Sequence, residues 1–249
     1  MAFLELHDVH VEFSGFIAVA GLNLSVNQGE LRCLIGPNGA GKTTALDVVC
    51  GKVPVAAGRV LFDGKDITQQ EEYEIARLGI GRKFQVPSVF RDLSVWDNLR
   101  VAYCKYSGVW RNVFNFGQRA GDDGLEKLAE FVGLKDQLAR PAGTLSHGQI
   151  QWLEIALLLA QDAELILMDE PTAGMTSLET RKTAELFNRL KGRHTLVVVE
   201  HDMGFIKEIG DVISVMHQGK LLAEGTVKEV EQDPRVMQAY LGSGGISRA

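Results

Sequence analysis

The chain has 249 residues, of which 45% are hydrophobic and 23% are charged. This balance is typical of a globular protein with a core of its own, and it excludes disordered and collagen-like classes. Lysine and arginine number 26 against 32 aspartate and glutamate residues, so the formal net charge is −6 and a broad nucleic-acid-binding surface is not expected. Three cysteines without a CxxC pair give little support to a disulfide framework or a zinc site.

The N-terminus and the apolar runs bear on location. Glu5 and Asp8 lie where a secretory signal would need a basic start and an apolar stretch. No apolar run approaches the roughly 18 residues that a membrane-spanning helix requires. We therefore expect a cytosolic protein that works at a membrane only through partners.

Short apolar runs separated by turn residues fill the first 35 residues and predict strands. The next segment, KTTALDVVCGK, has the helical spacing of Leu46, Val49 and Cys50 and predicts a helix that ends near Gly51. The segment AAGRVLFDGKDI predicts a hairpin with an Asp-Gly turn. The chain is then expected to return to the core at GIGRKFQ.

From Val86 to about Ala160 the pattern becomes helical, in DLSVWDNLRVAYC, GLEKLAEFVGL and QIQWLEIALLLAQ. This predicts a helical subdomain over about residues 86–160, inserted in one cassette that spans residues 1–249. Residues 103–123 have no clean period and predict a long irregular connection.

The last third of the chain alternates strands and helices. Two apolar strands, ELILMD and TLVVVE, enclose a helix predicted from Leu178 to Lys191, and this alternation favours a parallel sheet. A hairpin in ISVMHQGKLLAEGT follows, with a C-terminal helix near VKEVEQDPRVMQAYLG.

The octet GPNGAGKT, residues 36–43, fits the phosphate-loop pattern GxxxxGK[ST] between an apolar strand and a helix. In such a loop, backbone N–H groups converge on phosphate oxygens at the positive end of a helix, Lys42 reaches the β- and γ-phosphates, and the Thr43 hydroxyl ligates Mg²⁺. The alternative is a plain glycine-rich turn. The predicted phosphate-binding residues are Gly36, Pro37, Asn38, Gly39, Ala40, Gly41, Lys42, Thr43 and Thr44.

The strand LILMDE ends in two acids, Asp169 and Glu170. Carboxyl ends of parallel strands face the ligand crevice, so we expect Asp169 to hold Mg²⁺ and Glu170 to orient or deprotonate an attacking water. A solvated turn is the alternative.

A third motif, LSHGQ at residues 145–149, precedes an amphipathic helical run. Ser146 is a predicted N-cap and Gly148 allows close approach, so this segment presents backbone donors and a helix dipole to an anion. The alternative is a capped helix start that binds nothing.

Five ordered motifs together resemble the nucleotide-binding subunit of ABC transporters: GPNGAGKT, Gln85 in RKFQ, LSHGQ, LILMDE, and His201 in VVVEHDM. The resemblance covers essentially the whole chain. It implies an α/β P-loop NTPase fold with a RecA-like core, an N-terminal antiparallel β region and an inserted helical subdomain. It also implies that the chain binds Mg-ATP and hydrolyses it.

The resemblance also implies roles for single residues. Phe13 in VEFSG would stack on adenine, Gln85 would link Mg²⁺ to the permease contact, and His201 would contact the γ-phosphate. Each has a plainer interpretation, as a core aromatic, a loop amide or a structural histidine. The predicted catalytic residues are thus Lys42, Gln85, Glu170 and His201, and the predicted Mg²⁺ ligands are Thr43, Gln85 and Asp169.

In that family, Ser146, Gly148 and Gln149 act across a head-to-tail dimer on the ATP held by the other subunit. Two residues depart from the commonest pattern. His147 stands where glycine is usual, and its imidazole either lies near the partner's triphosphate or faces solvent. Thr176 stands where many members carry an aspartate, which puts a cross-dimer hydrogen bond in doubt, although a hydroxyl is able to make one.

Longer stretches, including LSHGQIQWLEIA, AGMT and DPRVMQAYLG, resemble the branched-chain amino-acid uptake group and, within it, the ATPase of urea importers. This implies urea as cargo and a peripheral place at the cytoplasmic face of the bacterial inner membrane. It further implies two integral-membrane permease subunits, a second ATPase subunit in a hetero- or homodimer, and an extracytoplasmic solute-binding protein.

Three alternatives remain at this point. They are an importer of branched-chain amino acids or short amides, a soluble cassette ATPase without a permease, and a nucleotide-binding regulatory module with little turnover. The presence of Glu170 and His201 argues against the last.

Overall fold

The computed structural model describes residues 2–83, 89–103 and 122–241. Strands among these residues are β1 (Leu4–Phe13), β2 (Phe16–Val26), β3 (Leu31–Ile35), β4 (Ala57–Phe62), β5 (Lys65–Asp66), β6 (Ile80–Lys83), β7 (Leu165–Asp169), β8 (Thr195–Val199), β9 (Val212–His217) and β10 (Lys220–Gly225). Helices are α1 (Lys42–Val49), α2 (Glu72–Arg77), α3 (Val95–Tyr103), α4 (Asp122–Phe131), α5 (His147–Ala160), α6 (Ser177–Leu190), α7 (Met203–Ile209), α8 (Val227–Gln232) and α9 (Pro234–Leu241).

The N-terminal strands form an antiparallel sheet in the order β2-β1-β4-β5. Along β1, Leu4, Leu6, Val9 and Val11 are buried, and two exposed residues separate the two pairs where the register shifts between Leu6 and Val9. A period of two on each side of this shift is typical of a sheet that packs one face on the core. The predicted hairpin is present, with positive φ at Asp63 and Gly64.

A second sheet has the strand order β10-β9-β3-β8-β7-β6. β3 pairs in parallel with β8 and β9, and β7 pairs in parallel with β8. Every residue of β3, β7 and β8 is buried, as expected for the continuous apolar runs of a parallel sheet. The carboxyl ends of these three strands therefore share one edge, and the residues that follow Ile35, Met168 and Val199 lie there.

The chain divides into two compact units. The first comprises residues 1–81, 164–171 and 187–249, and contains the antiparallel sheet with an apolar core that includes Val19, Leu46 and Val199. The second comprises residues 82–163 and 172–186. In the second unit α5 packs against both α3 and α4.

The prediction of a single C-terminal helix is wrong, because the structure has two helices there, α8 and α9. Proline lacks a backbone N–H and disfavours helical backbone at the residue before it. Asp233, which precedes Pro234, is accordingly extended. Its carboxylate accepts the Arg235 N–H at 2.8 Å within the first turn of α9.

Two expectations fall on residues outside the described ranges: Gln85, and most of the irregular connection over 103–123. They stay predictions. Among the described helices, none combines the length and the apolar content needed to cross a membrane.

Candidate functional site

The loop between β3 and α1 turns so tightly that glycine is required by close backbone approach. A Cβ at Gly36 would lie 2.2 Å from the Met216 carbonyl oxygen, and a Cβ at Gly41 would lie 2.5 Å from the Ala18 carbonyl oxygen. Both residues have positive φ, 151° and 97°. The loop thus leads directly into the N-terminus of α1, the end of a helix that favours anions.

Lys42 is folded back onto its own loop. Its Nζ donates to the carbonyl oxygens of Gly36 at 2.7 Å and Pro37 at 3.0 Å, and the residue is only 7% exposed. Burial lowers the pKa of Lys42, while the nearby carboxylates of Asp169 and Glu170 act in the opposite direction. The predicted lysine and the two predicted acids therefore share one electrostatic environment.

Asp169 ends β7 and is 4% exposed, while Glu170 follows it at the edge of the sheet. The Glu170 N–H donates to the Val199 carbonyl oxygen of β8 at 2.9 Å, which fixes the backbone there. Glu170 has a φ of 47°, in the left-handed region that a non-glycine residue rarely adopts. The Glu170 side chain is about half exposed.

His201 lies next to Glu170, although 31 residues separate them in sequence. The imidazole Nε2 and the Glu170 Oε1 are 2.9 Å apart, so a hydrogen bond joins the two side chains. Glu200 accepts the His201 backbone N–H at 2.9 Å and holds the chain where β8 ends. A carboxylate and an imidazole in contact are able to orient a water molecule and accept its proton.

A pocket of about 390 Å³ collects most of the predicted residues in the first unit. Its lining is formed by Phe13, Phe16, Ala18, Asn38, Gly39, Ala40, Gly41, Lys42, Thr43, Thr44, Glu170, Val199 and His201. Gly36 and Pro37 contact the pocket's lysine through their carbonyl oxygens. The arrangement combines an anion-binding loop, a buried cation and the Glu170 and His201 pair.

Phe16 and Ala18 are pocket residues that the sequence analysis missed. Ser14 and Gly15 form a two-residue turn with positive φ, so Phe13 pairs directly with Phe16 across the hairpin. Both aromatic rings are exposed, at 46% and 65%. The sequence FSGF carries the signal, since a two-residue turn always pairs its flanking residues.

The oxygen donors near Lys42 suit a divalent cation. Mg²⁺ takes hydroxyl and carboxylate oxygens together with phosphate oxygens and water. Thr43, which carries a hydroxyl, is on the pocket lining, and Asp169 is buried within electrostatic reach of Lys42. These residues fit the ion that the phosphate-loop pattern implies.

The LSHGQ segment, residues 145–149, lies in the second unit and begins α5. Ser146 is the N-cap, as predicted: its Oγ accepts the Gln149 N–H at 3.2 Å, and Gln149 Oε1 accepts the Ser146 N–H at 3.0 Å. His147 is exposed, and its Nε2 is 3.2 Å from Gln151 Nε2.

Glu179 on α6 is a further residue at this segment that the sequence analysis missed. Its Oε1 accepts the Ser146 hydroxyl at 2.7 Å, and its Oε2 accepts the Thr176 hydroxyl at 2.8 Å and the Thr176 N–H at 3.0 Å. A Cβ at Gly148 would lie 2.7 Å from Glu179 Cδ. The hydrogen bonds from Thr176 and Ser146, with a smaller contribution from the Gly148 N–H, hold the pKa of Glu179 below its ordinary value.

Two family models match the chain. The model described as ABC transporter matches residues 19–173. The model described as branched-chain amino acid ATP-binding cassette transporter matches residues 220–246.

Curated relatives align along nearly the full chain. The branched-chain amino acid transport ATP-binding protein LivG of Escherichia coli is 35% identical, with 96% of this chain and 97% of that protein covered. The corresponding protein BraF of Pseudomonas aeruginosa is 34% identical, with 96% and 97% covered.

Solved structures share the fold. The ADP conformation of MJ1267, described as an ATP-binding cassette of an ABC transporter, superposes with a TM-score of 0.85 at 32% identity, covering 97% of this chain and 99% of that one. A nucleotide-free cassette from an ABC transporter superposes with a TM-score of 0.82 at 31% identity, covering 96% and 99%. The predicted α/β P-loop fold, with its antiparallel β region and helical part, is confirmed.

Proposed function

The chain belongs to the ABC transporter family and is an ATPase of its ATP-binding cassette type, and on this premise we propose that it is the ATP-hydrolysing subunit of an importer for a small polar solute. We propose one cassette over residues 1–249 with a helical subdomain over about residues 86–160. The observation that supports hydrolysis most directly is the Glu170 and His201 pair, 2.9 Å apart on the pocket that also holds Lys42.

In this mechanism Lys42 exchanges the Gly36 and Pro37 carbonyl oxygens for the β- and γ-phosphate oxygens of ATP. The exchange keeps the ammonium group hydrogen-bonded while its charge stabilises the phosphoryl group in transfer. Loop N–H groups from residues 36–44 bind the remaining phosphate oxygens. Phe13, together with Phe16, forms an aromatic surface for the adenine ring.

Glu170 and His201 act on the attacking water. Glu170 accepts a hydrogen bond from the water and orients it towards the γ-phosphorus, and His201 holds the Glu170 carboxylate in place and contacts the γ-phosphate. Mg²⁺, when bound, neutralises charge between the β- and γ-phosphates. Thr43, Asp169 and, by resemblance, Gln85 would hold that ion.

Transport requires partners. We propose that Ser146, Gly148 and Gln149 contact the ATP of a second ATPase subunit, so that two cassettes close on two nucleotides and open after hydrolysis. The surface near Gln85 would pass this motion to two permease subunits, which receive cargo from an extracytoplasmic solute-binding protein. The cassette would be peripheral at the cytoplasmic face of the bacterial inner membrane.

For cargo we propose urea, on the resemblance of LSHGQIQWLEIA and the C-terminal DPRVMQAYLG to urea-importer ATPases. A second candidate is a branched-chain amino acid, which the names of LivG and BraF and the family model over residues 220–246 favour. Both cargoes require the same ATPase chemistry, so the ATPase assignment does not depend on the choice.

Uptake in cells separates these cargoes. A source strain deleted for the gene is complemented with the wild-type chain, with Glu170→Gln, or with Glu164→Gln as a control. Glu164 is exposed and precedes β7, at the opposite end of that strand from Glu170. Labelled urea and labelled leucine are supplied separately at low concentration.

Urea uptake restored by wild type and Glu164→Gln, but not by Glu170→Gln, supports the urea importer. The same pattern with leucine replaces urea by a branched-chain amino acid. Restoration of either uptake by Glu170→Gln would remove Glu170 from the mechanism.

A further inference from the structure

The LSHGQ segment already contacts an anion from the same chain, the carboxylate of Glu179. Both oxygens of the Glu179 carboxylate are engaged, Oε1 by the Ser146 hydroxyl at 2.7 Å and Oε2 by the Thr176 hydroxyl at 2.8 Å. The Gly148 N–H, one of the first donors of α5, contributes weakly to lowering the pKa of this carboxylate. A helix start that offers hydroxyl and N–H donors to an anion is therefore filled by a side chain of the same chain.

The absence of a side chain at Gly148 lets this carboxylate reach the helix start. A Cβ there would lie 2.7 Å from both Glu179 Cδ and Glu179 Oε1 and 2.9 Å from Glu179 Cγ. These distances are shorter than any ordinary contact between a Cβ and another heavy atom. The absence of a side chain at Gly148 thus leaves room for the Glu179 carboxylate.

A second Thr-x-x-Glu sequence shows which part of this arrangement is ordinary helix capping. At the start of α8, Glu229 Oε2 accepts the Thr226 N–H at 2.7 Å and the Thr226 hydroxyl at 2.8 Å. Glu179 repeats both contacts with Thr176, at 3.0 Å and 2.8 Å. Capping accounts for Oε2 in each case. The hydrogen bond from Ser146 and the close approach to Gly148 come in addition.

We propose that Glu179 is a positioning residue that fills the donors of the LSHGQ segment in the nucleotide-free chain, an inference that rests on the proposed function. The Glu179 carboxylate must leave the Ser146 hydroxyl before that segment binds the partner subunit's triphosphate. The γ-phosphate and the Glu179 carboxylate carry charge of the same sign and seek the same donors. Glu179 therefore raises the ATP concentration needed for closure, and it keeps Ser146 oriented until closure occurs.

The test is the ATP dependence of hydrolysis by the purified full chain, or by the importer purified with it. Glu179→Gln keeps the side chain's size and removes the competing charge, so the KM for ATP should fall about threefold or more, with kcat unchanged or higher. Glu229→Gln alters the equivalent capping box away from LSHGQ, and its KM should equal that of wild type. A second measurement uses the Glu170→Gln background and determines the ATP concentration that gives half-maximal dimer formation. Glu179→Gln should lower this concentration by the same factor as it lowers the KM.

Glu179→Asp supplies a second variant that keeps the charge. Its side chain is one methylene shorter, so the carboxylate is withdrawn from Ser146, and KM should again fall. A KM for Glu179→Gln and Glu179→Asp that equals or exceeds the Glu229→Gln value would overturn the proposal. Failure of the proposed function has a different signature, because the wild-type chain itself would then hydrolyse no ATP.

Discussion

The phosphate loop and the LSHGQ segment both end at the start of a helix. In each of them a charged side chain of the protein is hydrogen-bonded to the segment. At the phosphate loop the group is a cation, since Lys42 Nζ donates to the carbonyl oxygens of Gly36 and Pro37. At LSHGQ it is an anion, since Glu179 accepts from Ser146.

The sign of the internal charge decides how each segment meets a phosphate. A phosphate attracts Lys42 out of its carbonyl contacts, so the loop is ready to bind ATP by itself. The same phosphate competes with Glu179 for its donors. The helix start at the phosphate loop is therefore ready to bind a phosphate. The helix start at LSHGQ binds one only after the phosphate has displaced the Glu179 carboxylate.

The largest expected effect is on the rate of ATP hydrolysis at the phosphate-loop pocket. Glu170→Gln should lower kcat by about 10²- to 10⁴-fold, because the amide is unable to accept a proton from water. ATP affinity should be kept, since Lys42 and the loop are unchanged. Phosphate release measures kcat and a nucleotide titration measures Kd. Undiminished release, against Glu164→Gln as control, would contradict the assignment.

The phosphate loop itself is tested by Lys42→Ala. Loss of a buried cation that makes charge-assisted hydrogen bonds should weaken ATP binding about 100-fold, or about 2.7 kcal/mol. Isothermal titration measures the Kd. Lys52→Ala is the matched control, because Lys52 follows α1 and its side chain is about half exposed. A Kd for Lys42→Ala within threefold of the control would contradict a phosphate-binding role.

The fit between Gly148 and Glu179 is tested by stability. Gly148→Ala should lower the free energy of unfolding by about 1–3 kcal/mol, because the added methyl group forces the carboxylate away from Ser146. In a Glu179→Ala background the same change should cost less, and the difference measures the coupling in urea unfolding. Gly39→Ala is the control, because no heavy atom lies within 4 Å of a Cβ there and its cost arises only from a φ of 78°. If Gly148→Ala lowers the free energy of unfolding equally with and without Glu179, the proposed fit between Gly148 and Glu179 is wrong.

The aromatic surface of the first pocket should give a smaller effect. Phe13→Ala and Phe16→Ala should each weaken ATP binding by about 0.5–1.5 kcal/mol if their rings stack on the base. Ile17→Ala is the control, because Ile17 is 57% exposed and is absent from the pocket lining. A change in Kd for only one phenylalanine would identify the ring that carries the stacking.

The smallest effect is the pH dependence of the Glu179 contacts. Hydrogen bonds to Thr176, Ser146 and Gly148 lower the pKa of Glu179. Their contribution to stability is therefore complete above the ordinary glutamate pKa of about 4.3 and is lost as pH falls through the lower folded-state value. The stability difference between wild type and Glu179→Gln should shrink as urea unfolding is repeated from pH 7 towards acid. In a Ser146→Ala background this dependence should weaken, and no change there would count against the Ser146 contact.

Much of the fold was predictable because its signals are local. Buried parallel strands such as β3 and β8 appear in the sequence as unbroken apolar runs, and the phosphate loop is set by eight consecutive residues. The break at Pro234 was also predictable from the proline itself, although a single C-terminal helix was expected there.

The residues that were missed depend on pairing between distant segments. Phe16 joins the pocket through the register of the β1 and β2 hairpin. Glu179 lies 33 residues from Ser146, and only the packing of α5 and α6 in the second unit brings them within 2.7 Å. The Thr-x-x-Glu pattern predicts a helix start at Thr176, but it contains nothing about the segment that the second carboxylate oxygen would reach.

The left-handed backbone at Glu170 has a consequence for attempts to redesign this chain. A non-glycine residue held at a φ of 47° costs on the order of 1–2 kcal/mol, which glycine or asparagine would relieve. Selection for heat resistance alone would therefore favour replacing Glu170, and under the proposed role of Glu170 the more stable variants would hydrolyse ATP far more slowly. A stabilised version of this cassette has to find its improvements at other positions and leave this strained residue as it is.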